Sequence, residues 1–202
     1  MSFTTLRTIS RHSVNIYLGL ILLSLACLGL QFPPFSELSA WQLTSIEQGQ
    51  WWRILTGNFT HTNFAHLGMN LAGLWVIVFL FMPSIKSLFF ALIMLSLSVG
   101  ISIFFTEMTL YVGLSGVLHG LFAYFALLEW LNGRRSSLWL VLGVIAKVAW
   151  EQWFGASMMT AELIQARVAT EAHLAGTLGG LTLGLIQFLL IKKRRNLSRG
   201  AD

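Results

Sequence analysis

The stretch Tyr111-Val-Gly-Leu-Ser-Gly-Val-Leu-His-Gly120 sets a serine between two glycines, Gly113 and Gly116, at the head of an apolar segment. Gly113 can take backbone angles that residues with a Cβ resist, so the chain can turn sharply into a helix there. Ser115 then falls in the first helical turn. Backbone N–H groups lack intrahelical partners at that point, and the positive end of the helix dipole favours developing negative charge. A serine in that setting becomes a nucleophile when a base, most often histidine, is brought to it.

Around this stretch the chain is strongly apolar. Of its 202 residues 55% are hydrophobic and only 10% charged, with a mean hydropathy of +0.72. Such a composition excludes an ordinary soluble domain and points to a membrane protein with several spans. A single domain over 1–202 uses the whole length. The net charge of +5 would suit nucleic acid if the basic residues shared one face, but they stand at helix ends, so no nucleic-acid partner is expected. The lone Cys27 rules out an internal disulfide and a cysteine-rich metal site.

Apolar runs predict an all-α bundle of six membrane helices, at about 14–31, 62–82, 87–105, 114–131, 137–154 and 168–191. The first follows Arg7 and Arg11 much as a signal peptide follows its basic region, and Ser24-Leu-Ala-Cys27 resembles a lipoprotein cleavage site. Serine stands there where an aliphatic residue is expected, and the apolar run continues past Cys27, so the segment reads as a retained span. Residues 35–60 carry Trp41, Trp51 and Trp52 and read as a structured outer loop lying at headgroup level. Residues 155–167 read as a polar loop. With the N-terminus in the cytoplasm, the inner side holds Arg7, Arg11, Lys86, Arg134, Arg135, Lys192, Lys193, Arg194, Arg195 and Arg199, which is 10 of the 13 basic residues. The outer loops hold Arg53 and Arg167 beside Glu37, Glu47, Glu107, Glu162 and Glu171. This asymmetry predicts cytoplasmic N- and C-termini.

In this topology the second, fourth and sixth helices all begin on the outer side. At about 1.5 Å per residue, Ser115, His173, His61, His66 and Asn70 come to a similar depth. Polar side chains inside a membrane are costly and usually functional. Ser115 alone reads as a small packing residue, and His173 alone as a structural histidine. At matched depth they read as nucleophile and base. Gly176, Gly180 and Gly184 recur every four residues and share a face with His173, while Gly116 and Gly120 offer a matching small face on the fourth helix. His66 and Asn70 are four apart and can donate to an oxyanion together with the Ser115 backbone N–H. His61 reads as structural and nearer the surface. The sole aspartate, Asp202, lies at the cytoplasmic end, so a Ser-His dyad is expected, its imidazole oriented by packing. His119, one turn below Ser115, either packs on His173 or competes with it as base. Lys147 and Glu151, four apart on the fifth helix, form a self-neutralising pair. Alternatively, Glu151 and Gln152 line the route of a substrate's tail.

These residues resemble a rhomboid intramembrane serine protease. Gly113-Leu-Ser-Gly116 matches the family's GxSG, Ala172-His173 with Gly176 and Gly180 its helix-six motif, His66-x-x-x-Asn70 its HxxxN, and Trp52-Arg53 its first-loop signature. The resemblance implies a six-helix rhomboid-like bundle. It also implies Ser115 as nucleophile, His173 as base, and an oxyanion hole of His66, Asn70 and the Ser115 backbone, with no cofactor and no metal. Gly49-Gln-Trp-Trp-Arg53, Asn70-Leu-Ala-Gly73, Leu118-His-Gly120 and Lys147-Val-Ala-Trp-Glu-Gln152 are similar to the rhombosortase subgroup. That subgroup is associated with membrane-anchored substrates ending in a GlyGly-CTERM tail, a glycine pair followed by one membrane helix and basic residues. The implied setting is the bilayer of a bacterial inner membrane, with the site facing the periplasm. His119 stands where many rhomboids have tyrosine. Other readings are a general rhomboid protease of single-span substrates, a haem or metal protein built on His61, His66, His119 and His173, and a non-catalytic helix-binding protein. A small transporter is disfavoured because paired helix breaks are missing.

Overall fold

The computed structural model describes residues 3–199, with the side chains of residues 15–198. The side chains of Arg7, Arg11 and Arg199, and all of Asp202, therefore lie outside the described residues. In chain order the elements are α1 (Phe3–Gly29), α2 (Phe35–Ser39), β1 (Trp41–Gln42), α3 (Leu43–Glu47), α4 (Arg53–Thr56), α5 (Phe64–Phe81), α6 (Ile85–Ser102), β2 (Leu110–Tyr111), α7 (Ser115–Leu131), α8 (Ser137–Phe154), α9 (Met158–Ile164) and α10 (Thr170–Arg199). Among the described residues, three stretches are long and apolar enough to cross a membrane: Phe64–Phe81, Ile85–Phe105 and Thr170–Ser198. The apolar parts of α1 and α7, Asn15–Gly29 and Ser115–Leu131, are shorter. In α8 the apolar run is interrupted by Lys147, Glu151 and Gln152.

α7 is the axis of the bundle. It packs against α5, α6, α8 and α10, and Val117, Leu121, Ala123, Tyr124 and Ala126 are fully enclosed. A helix apolar all round belongs in such a place. Its closest neighbour is α10, and glycines set that distance. A Cβ on Gly116 would stand 2.8 Å from the Ala172 carbonyl oxygen, and one on Gly120 2.7 Å from that of Gly176. A methyl on Gly176 or Gly180 would overlap the carbonyls of Gly116 and Gly120. Small residues let membrane helices touch backbone to backbone, so dispersion contacts accumulate along the seam.

Three segments depart from the expectation, and each departure has a local cause. α1 starts well before residue 14, because nothing in the polar segment ahead of it breaks a helix. α10 runs through Lys192-Lys-Arg-Arg195, all good helix formers, and past residue 191. The segment expected as a polar loop over 155–167 contains α9, seven residues long. Two hydrogen bonds tie α9 to the start of α5: Thr62 Oγ1 donates to the Ile164 carbonyl at 2.7 Å and Asn63 Nδ2 to that of Leu163 at 3.0 Å. The chain is mostly helical, as expected, with a small antiparallel pair added, Trp41 opposite Tyr111.

That pair explains the outer loop. Trp51 and Trp52 are exposed, as interfacial tryptophans would be, but Trp41 is fully buried and does not reach the interface. Its indole N–H donates to the Gly100 carbonyl at 2.9 Å, which satisfies the one polar group that burial would strand. Gly57 sits against Trp41, and its carbonyl accepts from Gly113 N–H at 3.1 Å. The Tyr111 hydroxyl donates to the Gly113 carbonyl at 2.8 Å. The loop is thus a brace against the turn that precedes Ser115. It is held from beneath by Arg53, only 4% exposed, whose Nη1 donates to the carbonyls of Glu37 and Ala40, both at 2.7 Å, and whose Nε donates to Gln50 at 2.8 Å. Arg53→Ala strands those two carbonyls. We expect it to destabilise the protein by about 2–3 kcal/mol, read as a lower unfolding midpoint in detergent, whereas Trp51→Ala on the exposed side leaves the midpoint nearly unchanged.

Candidate active site

At the N-terminus of α7, Gly113 has φ +123, a region that favours glycine. The position admits nothing else for a second reason, since a Cβ there would lie 2.7 Å from His66 Cε1 and 2.8 Å from its Nε2. Ser115 is the first residue of α7. Its Oγ lies 2.9 Å from Nε2 of His173, a buried residue in the first turns of α10. The glycine seam produces this approach, because His173 leaves α10 one turn before Gly176.

The other ring nitrogen of His173 corrects the expected dyad. Nδ1 lies 2.9 Å from Glu151 Oε2, so a carboxylate, not packing alone, orients the imidazole. An ionised carboxylate only accepts hydrogen bonds. Nδ1 therefore carries the proton, and Nε2 offers its lone pair to the Ser115 hydroxyl. This is the tautomer a general base requires.

Glu151 is shared. Its Oε1 accepts from Lys147 Nζ at 2.8 Å. The same ammonium lies 2.6 Å from His119 Nε2, and His119 Nδ1 donates to the Ser115 carbonyl at 2.7 Å. His119 therefore uses one nitrogen as donor and the other as acceptor, which makes it neutral. Its ring stacks on His173 with centroids 4.1 Å apart and planes 20° apart. His119 packs beneath His173, and its free lone pair meets an ammonium, not the Ser115 hydroxyl.

His66 and Asn70 face the same cavity as Ser115 and His173 from α5. Asn63 caps α5 by accepting from His66 N–H at 2.8 Å. Thr62 Oγ1 lies 3.1 Å from His66 Nδ1, and Asn70 Nδ2 donates to the His66 carbonyl at 3.1 Å, keeping its second N–H. His61 stands apart. It is buried, its ring meets His66 edge-on at 5.0 Å, and neither of its nitrogens has a partner. Burial, and then the neighbouring His66, push its pKa down to about 3, so it stays neutral and acts as packing.

The cavity holds about 610 Å³. α9 and its flanks form one wall through Ser157, Thr160, Ile164 and Val168. Sequence reasoning missed three participants: Glu151 as the partner of His173, Thr62 beside His66, and the α9 wall. Only Glu151 left a signal, a carboxylate placed within an apolar helix.

Ligating atoms of His119, Glu151 and His173 all lie within 4.8 Å of one another, a spacing a metal ion could use. The Lys147 ammonium already contacts two of the three residues, at 2.6 and 2.8 Å. A dication there would have to displace a charge of its own sign. Haem ligation between paired histidines fits no better, because in each of the pairs His119–His173 and His61–His66 the rings are in contact.

The family profile described as Rhomboid domain matches residues 48–190. Among curated relatives, the chain is 29% identical over 167 residues to "Rhomboid protease GlpG" of Salmonella paratyphi A, covering 77% of this chain and 55% of the relative. The same figures hold for "Rhomboid protease GlpG" of Salmonella newport and of Salmonella typhi. The chain thus spans about half the length of these relatives.

Proposed function

The chain belongs to the rhomboid family and is an integral membrane protein, and from that premise we propose that it is an intramembrane serine endopeptidase. The observation that carries the reading is the 2.9 Å contact between Ser115 Oγ and an unprotonated His173 Nε2 at the edge of the cavity. Ser115 Oγ attacks the scissile carbonyl while its proton passes to His173 Nε2. The tetrahedral oxyanion accepts hydrogen bonds from the Ser115 backbone N–H, His66 and Asn70, at the positive end of α7. Collapse expels the amine with the proton returned by His173, and a water molecule then releases the acyl group by the same steps in reverse order. Attack on a main-chain carbonyl needs that carbonyl free of its helical hydrogen bond, so a substrate helix must unwind at the cleaved bond, and glycine there eases this.

The wider assignment has six spans, cytoplasmic termini and a site facing the periplasm of a bacterial inner membrane, as the charge asymmetry favours. Its substrates are membrane-anchored proteins with a C-terminal membrane tail. The motifs shared with rhombosortases favour GlyGly-CTERM tails among them. The test uses purified protein in liposomes with two tethered substrates, one ending in a glycine pair, a membrane helix and basic residues, the other with an unrelated single span. Mass spectrometry of the released C-termini is expected to show cleavage beside the glycine pair. Equal cleavage of both substrates would leave the protease reading and remove the tail preference. A fluorophosphonate probe is expected to label Ser115, and an unlabelled, folded protein would remove the serine hydrolase reading itself.

A further inference from the structure

The polar contacts beneath Ser115 close on themselves. Ser115 Oγ donates to His173 Nε2 and His173 Nδ1 donates to Glu151 Oε2. Lys147 Nζ donates both to Glu151 Oε1 and to His119 Nε2, and His119 Nδ1 donates back to the Ser115 carbonyl. Three helices, α7, α8 and α10, are stitched by one ring. Each donor and acceptor has a single consistent assignment, and neither histidine need be charged. Such networks strengthen cooperatively when every member is satisfied.

Resting on the reading of Ser115 and His173 as nucleophile and base, we infer that Glu151 is a positioning residue for the reaction and that Lys147 sets its orientation. When the Ser115 proton moves to His173 Nε2 and the new C–O bond forms, the imidazole becomes cationic and the substrate oxygen anionic. Without Glu151, that imidazolium would stand beside the Lys147 ammonium with no intervening anion, in a setting where the His173 side chain is only 5% exposed. The Lys147 side chain is 47% exposed, so solvent screens part of the repulsion, but two adjacent like charges with one of them buried are still unfavourable. Glu151 lies between them and neutralises the excess. His119, held neutral by Lys147, serves as the flat platform on which His173 stacks.

The alternative is a purely structural Lys147–Glu151 ion pair, and amide chemistry separates the two. In Glu151→Gln the side chain keeps its size. Lys147 only donates, so it demands the amide oxygen. The amide N–H₂ group then faces His173 Nδ1, which must give up its proton to Nε2. That is the wrong tautomer for a base. Loss of the correct tautomer costs about 10⁴-fold in kcat in soluble serine proteases. Removing Lys147 as well frees the amide to flip, so that its oxygen can accept from Nδ1 again.

The experiment measures kcat and KM for a tethered substrate in liposomes, the rate of fluorophosphonate labelling of Ser115, and the unfolding midpoint. Glu151→Gln is expected to lower kcat by about 10³-fold or more, with KM within about twofold and labelling slowed in parallel. Lys147→Met, which leaves the His173–Glu151 bond, is expected to lose no more than about tenfold. The double variant Glu151→Gln/Lys147→Met is expected to be faster than Glu151→Gln alone by about tenfold, a reversal that no loss of an ion pair produces. The inference is overturned if Glu151→Gln keeps kcat within about threefold, if the double variant is no faster than the single, or if Lys147→Met alone is as damaging. Should Glu151→Gln fail to insert, the double variant is compared with Lys147→Met instead: a kcat at least about tenfold lower is expected, and one within about threefold would overturn the inference. Activity persisting in Ser115→Ala would instead remove the protease reading beneath it.

Discussion

Ser115→Ala is expected to lower cleavage of a tethered substrate by about 10⁶-fold, to the level of the uncatalysed reaction or the residual effect of the oxyanion donors. The cause is the loss of one atom, the Oγ that lies 2.9 Å from His173 Nε2. The hydroxyl beside His66 does not replace it, since Thr62 is committed to the Ile164 carbonyl. The fold should not suffer. Alanine is the best helix former, the residue begins α7, and its backbone carbonyl still accepts from His119. His173→Ala should match it in kcat, and the double variant should be no worse than either alone, because groups acting as a unit are not additive. The assay is single-turnover cleavage in liposomes, with circular dichroism confirming an unchanged helix content. Residual turnover within a hundredfold of wild type in Ser115→Ala would mean that another nucleophile does the work.

The second large effect comes from a single methyl group on the seam between α7 and α10. Gly176→Ala puts a Cβ where the Gly116 carbonyl already stands. That obstacle is helix backbone, so it cannot rotate away, and α7 and α10 must separate. Overpacking of a close-packed interior costs about 1–3 kcal/mol or more, and the separation acts directly on the Ser115–His173 distance. We expect a lower unfolding midpoint and a loss of cleavage of about 10²-fold or more, as misplacement of reacting groups by about 1 Å produces. Gly184→Ala is the internal control. It lies on the same helix face two turns on, where the nearest atom is the flexible end of Leu127 at 3.2 Å. That variant should change stability by less than about 1 kcal/mol and leave cleavage intact. Equal effects at 176 and 184 would show that the seam does not set the catalytic distance.

Much of this arrangement was readable in one dimension, and the reason is periodicity. Gly176 and Gly180, at a spacing of four, must share a face, and His173 must share it too. The α7 stretch offers the complementary glycines, so the two helices had a preferred line of contact. One end of that line carried both Ser115 and His173. Glu151 was not readable in the same way. A charge four residues from Lys147 is already neutralised within its own helix, so nothing in the sequence demanded a second partner for it. Trp41 misled for a related reason, because tryptophan suits an interface and a buried hydrogen bond equally well.

The sequence alone determined that the chain is helical and apolar, that α7 and α10 can close to backbone contact, and that a serine and a histidine lie near the same end of that seam. These follow from local rules of hydropathy and helical repeat, which act within a single segment. Only the tertiary structure decided the rotation of α8 about its own axis. That rotation is set by packing against two neighbours at once, and it brings Glu151 to the far nitrogen of His173 and Lys147 to His119. A pair that neutralises itself along one helix thereby becomes part of a ring joining three.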